Sequence, residues 1–253
     1  MKASPLITHL HWTRSAVSKA LIVLLAVVAA VDAQGSVPIE VVYGRGRNKT
    51  AMKLWQDAET QLKNGDVESA HRNVEAALRS DPTLYPALYT RAKVFIRQHK
   101  YELAVQDCTA ALKQDTTFVE AALLRASANA KLGRYAVSLK EIEHVISIRP
   151  RVDGLARAMA ERAWLRATCP DPSFRNGRQA INDATAACKL LEWRDEDSID
   201  TLAAAYAEAG DFDSAVRYEQ QALGTKGITA DDTKIFQYHL ELFKHHQPVR
   251  SSR

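Results

Sequence analysis

Ala126-Ser127-Ala128-Asn129-Ala130-Lys131-Leu132-Gly133-Arg134-Tyr135-Ala136-Val137-Ser138 sets small residues at both ends of a helical run broken by a single glycine. A glycine just past a helix accepts the left-handed conformation that ends it, and the polar residue that follows can start the next helix. The same arrangement stands 34 residues upstream, with Ala92 and Ala104 around His99-Lys100, and 34 further, with Ala58 and Ala70 around Gly65-Asp66. Ala77, Ala111 and Val145 repeat at the same interval. Pro82 and Pro150 lie two intervals apart, with Thr116 at the intermediate place. Small side chains at fixed points let two helices approach closely, while Leu88, Phe95, Leu112, Leu139 and Ile142 fill the space around them.

A period of 34 is the length of one helix-turn-helix unit in a repeat array. Counted from a common first position, the units are 51–84, 85–118 and 119–152, then an irregular fourth at about 153–194 and a fifth at about 196–229. If Ala163 and Ala180 correspond to Ala58 and Ala70, the two positions are 17 apart in the fourth unit where they are 12 apart in the others, an insertion of five residues at the hairpin turn. Cys169 to Gly177 is then a longer hairpin turn, because Pro170 and Pro172 oppose a continuous helix. The order of small, aromatic, small and proline positions resembles the tetratricopeptide-repeat (TPR) consensus. Tyr206-Ala207-Glu208-Ala209-Gly210-Asp211-Phe212 followed by Ala215 is the best match in the chain. The wording of the last two units is similar to that of bacterial exported TPR proteins. The resemblance spans about three-quarters of the chain. It implies an all-α, right-handed superhelical solenoid of about five hairpins, closed by a capping helix.

That cap is expected at 231–246, with Ile235, Tyr238, Leu242 and Phe236 on its buried side, since a terminal repeat has no neighbour to cover its outer face. Residues 247–253 are expected to be a disordered tail and 34–50 a flexible linker, with a brief strand at Ile39 to Tyr43. The first 33 residues read as a secretory signal: Lys2, Arg14 and Lys19 come first, then twelve apolar residues from Ala20 to Val31, then a cleavage site after Ala33. Twelve helical residues cover only about 18 Å of a hydrocarbon core about 30 Å thick. The competing reading is an uncleaved N-terminal anchor, the only membrane contact the sequence suggests. The protein is therefore expected outside the cytoplasm, periplasmic or secreted.

The seventh residue of a unit faces roughly its twenty-third across the hairpin. Those places hold Arg91 and Asp107, Arg125 and Glu141, and, with the insertion counted, Arg162 and Asp183. A planar guanidinium meets a carboxylate through two parallel hydrogen bonds, so the pairs are read as bridges within the central hairpins, the alternative being a basic binding row. The concave side, formed by the first helix of each hairpin, is expected to bind a protein or peptide. Its candidate positions are Tyr89, Lys93, Ile96, Arg97, Leu123, Ser127, Ala130, Lys131 and Trp164, aromatic anchors beside cations able to meet acidic groups of a ligand. The Lys and Asn of the TPR carboxylate clamp are missing, since Trp55, Glu59, Thr90, Glu120 and Leu124 stand in their places.

Composition excludes other classes. The chain is 46% hydrophobic and 25% charged, and its formal charge of +4 falls to +2 when Lys2, Arg14, Lys19 and Asp32 leave with the signal. So small a surplus gives no nucleic-acid surface. The eight histidines lack metal-ligand spacing, no phosphate loop or nucleophile elbow appears, and Cys108, Cys169 and Cys188 are expected to be free thiols. The sequence thus points to a non-enzymatic interaction scaffold with no cofactor, no metal and no small-molecule substrate. The second reading is a noncatalytic subunit of an envelope enzyme or a secretion or assembly complex.

Overall fold

Asn48 accepts hydrogen bonds from the backbone N–H groups of Thr50 and Ala51, and this cap starts the first helix two residues before the expected boundary. A computed structural model of the chain describes residues 48–251. The signal segment, the linker up to residue 47, its short strand and the last two residues lie outside the described residues. Five antiparallel hairpins follow one another. They are α1 (Lys49–Lys63) with α2 (Val67–Ser80), α3 (Tyr85–Arg97) with α4 (Tyr101–Gln114), α5 (Val119–Lys131) with α6 (Tyr135–Ser147), α7 (Val152–Thr168) with α8 (Gly177–Leu190), and α9 (Glu196–Glu208) with α10 (Phe212–Leu223). Helix α11 (Ala230–Lys244) closes the series, and no strand occurs among the described residues. The chain is an α-solenoid of the expected kind.

Local chemistry sets the hairpin turns. Asp66 and Asp211 cap α2 and α10 by accepting from the N–H groups of Ser69 and Ser214. Gly65, Gly133 and Gly210 adopt φ of 81°, 74° and 85° at equivalent turns. His99 takes the same left-handed conformation at φ 57° without being glycine, a choice that costs roughly 1 kcal/mol. In the fourth hairpin a short 3-10 turn at Pro172–Phe174 fills the longer connection, and the Asn176 N–H ties it back to the Arg166 carbonyl at 2.8 Å.

The repeated small positions are where the helices close on one another. Ala58, Ala92, Ala126, Ala70, Ala104, Ser138, Ala77, Ala111 and Val145 are all buried. Leu88, Phe95 and Ile142 are buried around them, with Leu112 and Leu139 partly covered. Cys108, Cys169 and Cys188 are free and buried, and burial pushes the Cys108 and Cys188 thiols up to about 12.

Two expectations about the C-terminal end need correction. Helix α11 buries Phe236, His239 and Phe243, whereas Ile235 and Tyr238 are exposed. The buried stripe has helical spacing, but the polar histidine at its centre makes the neighbouring face look more apolar in the sequence. The segment after α11 is packed, at least to Ser251. Val249 is buried in the same cluster as Ile199, Leu202 and Phe243, and the Ser251 N–H donates to the Thr168 carbonyl at 2.9 Å.

Arginines link the central hairpins. Arg91 donates through Nε and Nη2 to the two Asp107 oxygens, both at 2.7 Å, and through Nη1 to Glu75 of the preceding hairpin at 2.8 Å. Arg125 meets Glu141 and also reaches back to Thr109, at 3.1 Å. Arg162 grips Asp183 with two bonds of 2.8 Å, and Arg166 connects Asp183 to Glu143 of the preceding hairpin. Glu75, Thr109 and Glu143 are themselves 34 residues apart, so each arginine layer also bridges one unit to the next. Asp107 is only 8% exposed and Arg91 23%, so removing one partner leaves a largely enclosed charge. Asp107→Ala is expected to cost about 3 kcal/mol in urea unfolding, and the Arg91→Met/Asp107→Leu pair to recover more than half of it. No loss in Asp107→Ala would show that the bridge contributes nothing, and an equal loss in the double variant would show that the stranded Arg91 charge is not the source of the cost.

Candidate functional site

The nine concave positions separate into two groups. Near the N-terminal end, Lys93, Ile96 and Arg97 line a recess of about 300 Å³ with Glu59 and Leu124. Lys93 is already engaged there: its Nζ lies 2.7 Å from Glu59 and 5.1 Å from the centre of the Tyr89 ring. Tyr89 is half-buried and packs edge-on against Phe118. Thr90 receives the Trp55 indole N–H at 2.9 Å and donates its hydroxyl to Glu59, so the places a carboxylate clamp would use bond to one another. Leu123 is not on the concave surface. It is 1% exposed and clusters with Ile142, Val145 and Ala158, because at this level the next hairpin offers small Ala158 and closes over it.

Ser127, Lys131 and Trp164 do line a concave surface, the wider C-terminal groove of about 730 Å³. Ala130 borders a smaller cavity beside it. Helices α5, α7, α9 and α11 form the walls, and the packed tail forms one edge. Ile235 and Tyr238, expected in the core, project here at 49% and 63% exposure. The other prominent lining is acidic: Glu161, Asp195, Asp197, Asp200 and Asp232 face Lys131, Arg157 and Arg250. Partial burial, followed by the charges of Asp195, Asp232, Asp200 and Glu196, pushes the Asp197 carboxyl up to about 6. Burial also raises Glu161, against the opposing charge of Arg157. The field at this end is negative, whereas the sequence reading assigned the concave side cations for acidic groups.

At the groove floor His239 Nδ1 and Asp200 Oδ1 lie within hydrogen-bond distance at 2.7 Å, and Nδ1 stands 4.0 Å from Glu219 Oε1. Its ring lies 5.9 Å from that of Trp164. Glu219 is fully buried, and as a carboxylate neither of its oxygens has a hydrogen-bond donor. Burial, then the charge of neighbouring Asp200, hold Glu219 far above the usual carboxylate range.

The tail reaches the groove edge from the end of α11, where His246 stacks on Phe212 with ring centres 5.0 Å apart. Arg250 Nη2 meets Glu208 Oε2 at 2.7 Å, its Nη1 donates to the Ala167 carbonyl at 3.3 Å, and the Ser251 and Thr168 hydroxyls are 2.6 Å apart. Glu208 also accepts from Arg175 of the long turn, at 3.0 Å. Sequence reasoning stopped at Trp164 and so missed the side of the groove formed by α9, α11 and the tail. One signal was available: Asp200 occupies the place in its unit that Trp55, Tyr89 and Leu123 occupy in theirs. The tail contacts have no periodic signature.

A protein-family description, tetratricopeptide repeat, matches residues 57–115 and 89–145. Among solved structures, the chain is similar to a thermophilic TPR protein of Thermus thermophilus, at 17% identity and a TM-score of 0.65, covering 76% of this chain and 100% of the other. It is also similar to PilF of Pseudomonas aeruginosa, at 15% identity and a TM-score of 0.59, covering 79% and 90%. A tetratricopeptide repeat protein of Parabacteroides merdae aligns at 18% identity and a TM-score of 0.55, covering 79% and 74%. At such identities the likeness is one of fold. No curated protein matches the chain.

The docked tail can be tested by hydrogen exchange. The Ser251 amide is expected to be protected in the wild type and to lose that protection in Val249→Asp, which places a charge where an apolar side chain is buried. Equally fast exchange in both proteins would show that the tail is not seated.

Proposed function

We propose that the chain, whose residues 57–145 match the tetratricopeptide-repeat description, serves as a non-enzymatic interaction scaffold whose C-terminal concave groove takes an extended, basic segment of a partner protein. The juxtaposition that carries the reading is exposed Ile235 and Tyr238 beside Asp195, Asp197 and Asp232 on one concave wall. Soluble proteins seldom leave large apolar side chains clustered in a concavity, and aromatic groups there make good anchors. Fixed carboxylates alongside them favour Lys and Arg in the ligand and speed its encounter.

The location we propose is outside the cytoplasm. It rests on the basic start, the apolar run from Ala20 to Val31 and the small residues before Gln34. No helix among the described residues is long and apolar enough to cross a membrane.

Random peptides displayed on phage and selected on the purified protein are expected to be enriched in Lys and Arg next to an aromatic or aliphatic residue. Affinity of the selected peptides should fall at least tenfold in Asp195→Lys/Asp197→Lys/Asp232→Lys and in Tyr238→Ala. It should also weaken several-fold between pH 7 and pH 5, since Asp197, raised to about 6, is ionised at the upper end and protonated at the lower. Selection of acidic peptides, or binding indifferent to these variants, would refute the groove assignment. For the location, N-terminal sequencing of the protein recovered from its source should begin at Gln34; a first residue at Met1 in a soluble cytoplasmic fraction would exclude export.

A further inference from the structure

The geometry points to a site for one divalent transition-metal ion of the zinc class, formed by Asp200 of α9, Glu219 of α10 and His239 of α11. The ligand-capable atoms of these three buried residues all lie within 4.8 Å of one another. This inference goes beyond the proposed groove function and stands whatever the groove binds.

Three observations carry it. Glu219 is fully buried and aimed at the cluster, and both its oxygens lack a hydrogen-bond donor. An orphaned buried carboxylate is among the costliest groups a fold can keep, so something must neutralise it. Asp200 and His239 also line the groove, which gives an ion a path from solvent to Glu219 and leaves its remaining coordination positions accessible. The three ligands come from three successive helices, so a bound ion would clamp α11 to the last hairpin.

The donor set selects the ion. Zinc accepts imidazole nitrogen and carboxylate oxygen at about 2.0–2.2 Å and commonly uses three protein ligands with a fourth position open. Ligands at that range sit roughly 3–4 Å from one another; His239 Nδ1 lies 4.0 Å from Glu219 and 2.7 Å from Asp200, so an ion would take the place of the His239–Asp200 hydrogen bond. Calcium demands six to eight oxygens, and magnesium retains most of its water, so a site of two carboxylates and one imidazole suits neither. Two carboxylates balance the charge of a divalent ion, leaving the imidazole neutral, as a ligand must be. Without the ion, the alternative is a purely protonic cluster in which Glu219 keeps its proton.

The full chain, stripped with chelator and dialysed, should bind one equivalent of zinc at micromolar concentration or below by isothermal titration calorimetry. Its Tm should rise by several degrees with zinc and remain unchanged with magnesium. Cobalt in place of zinc should give visible ligand-field absorption. Glu219→Gln retains shape and can donate to Asp200, so it should fold and bind zinc at least tenfold more weakly. His239→Ala should lose the cobalt spectrum. His245→Ala/His246→Ala, a control for adventitious binding by the adjacent pair, should bind as the wild type does. A wild-type chain that takes up no stoichiometric zinc, Glu219→Gln binding with unchanged affinity, or binding that vanishes only in the His245/His246 variant would each overturn the assignment and leave the cluster protonic.

Discussion

How closely two helices can approach is fixed by the smallest side chains at their crossing, and the stack depends on that constraint being met at every repeat. Helix axes in packed pairs lie roughly 8–10 Å apart, with the lower end reached when alanine or serine occupies the contact. The repeated positions from Ala58 to Val145 are buried without exception, and eight of the nine are alanine or serine. Each hairpin cannot cover its own apolar side, so burial is completed by the next unit, and stability is a series of neighbour terms. The arginine layers run through the same series. Arg91, Arg125 and Arg166 each touch the hairpin before their own, so they tie units together in addition to the two helices of a hairpin.

The sequence made the periodic part of this architecture readable and concealed the aperiodic part. A glycine or alanine recurring every 34 residues carries its structural reason with it, because such residues meet a left-handed turn or a tight crossing at least cost. The arginine–carboxylate partners could be found by the same counting. Counting fails where one place in the unit has different neighbours. Leu123 and Tyr89 hold the same place, but the side chains around them leave Tyr89 half-exposed and seal Leu123 in. It fails again on α11, where one buried histidine disguises the inward stripe and leaves Ile235 and Tyr238 free for the groove. Asp200, Glu219 and His239 are far apart in the sequence and meet only because α9, α10 and α11 pack together.

The concave surface is accordingly not uniform along the array. Its N-terminal recess is internally paired, with Glu59 holding Lys93 and Thr90. Toward the other end, exposed apolar groups stand among carboxylates that crowd one another enough to raise Asp197. A fold shared with many proteins supplies the curved scaffold, and the side chains along one stretch of it supply any selectivity.

Glu208 places one carboxylate between two otherwise separate pieces of chain, with one oxygen toward Arg175 in the long turn and the other toward Arg250 in the tail. Tension applied at the C-terminal end is therefore delivered sideways into the fourth hairpin before it reaches α11. Arg250 and Ser251 act as a guy-line to the end of α7 and to Glu208, and a pull transmitted through them would load the loop at Cys169–Asn176 in preference to the terminal helix.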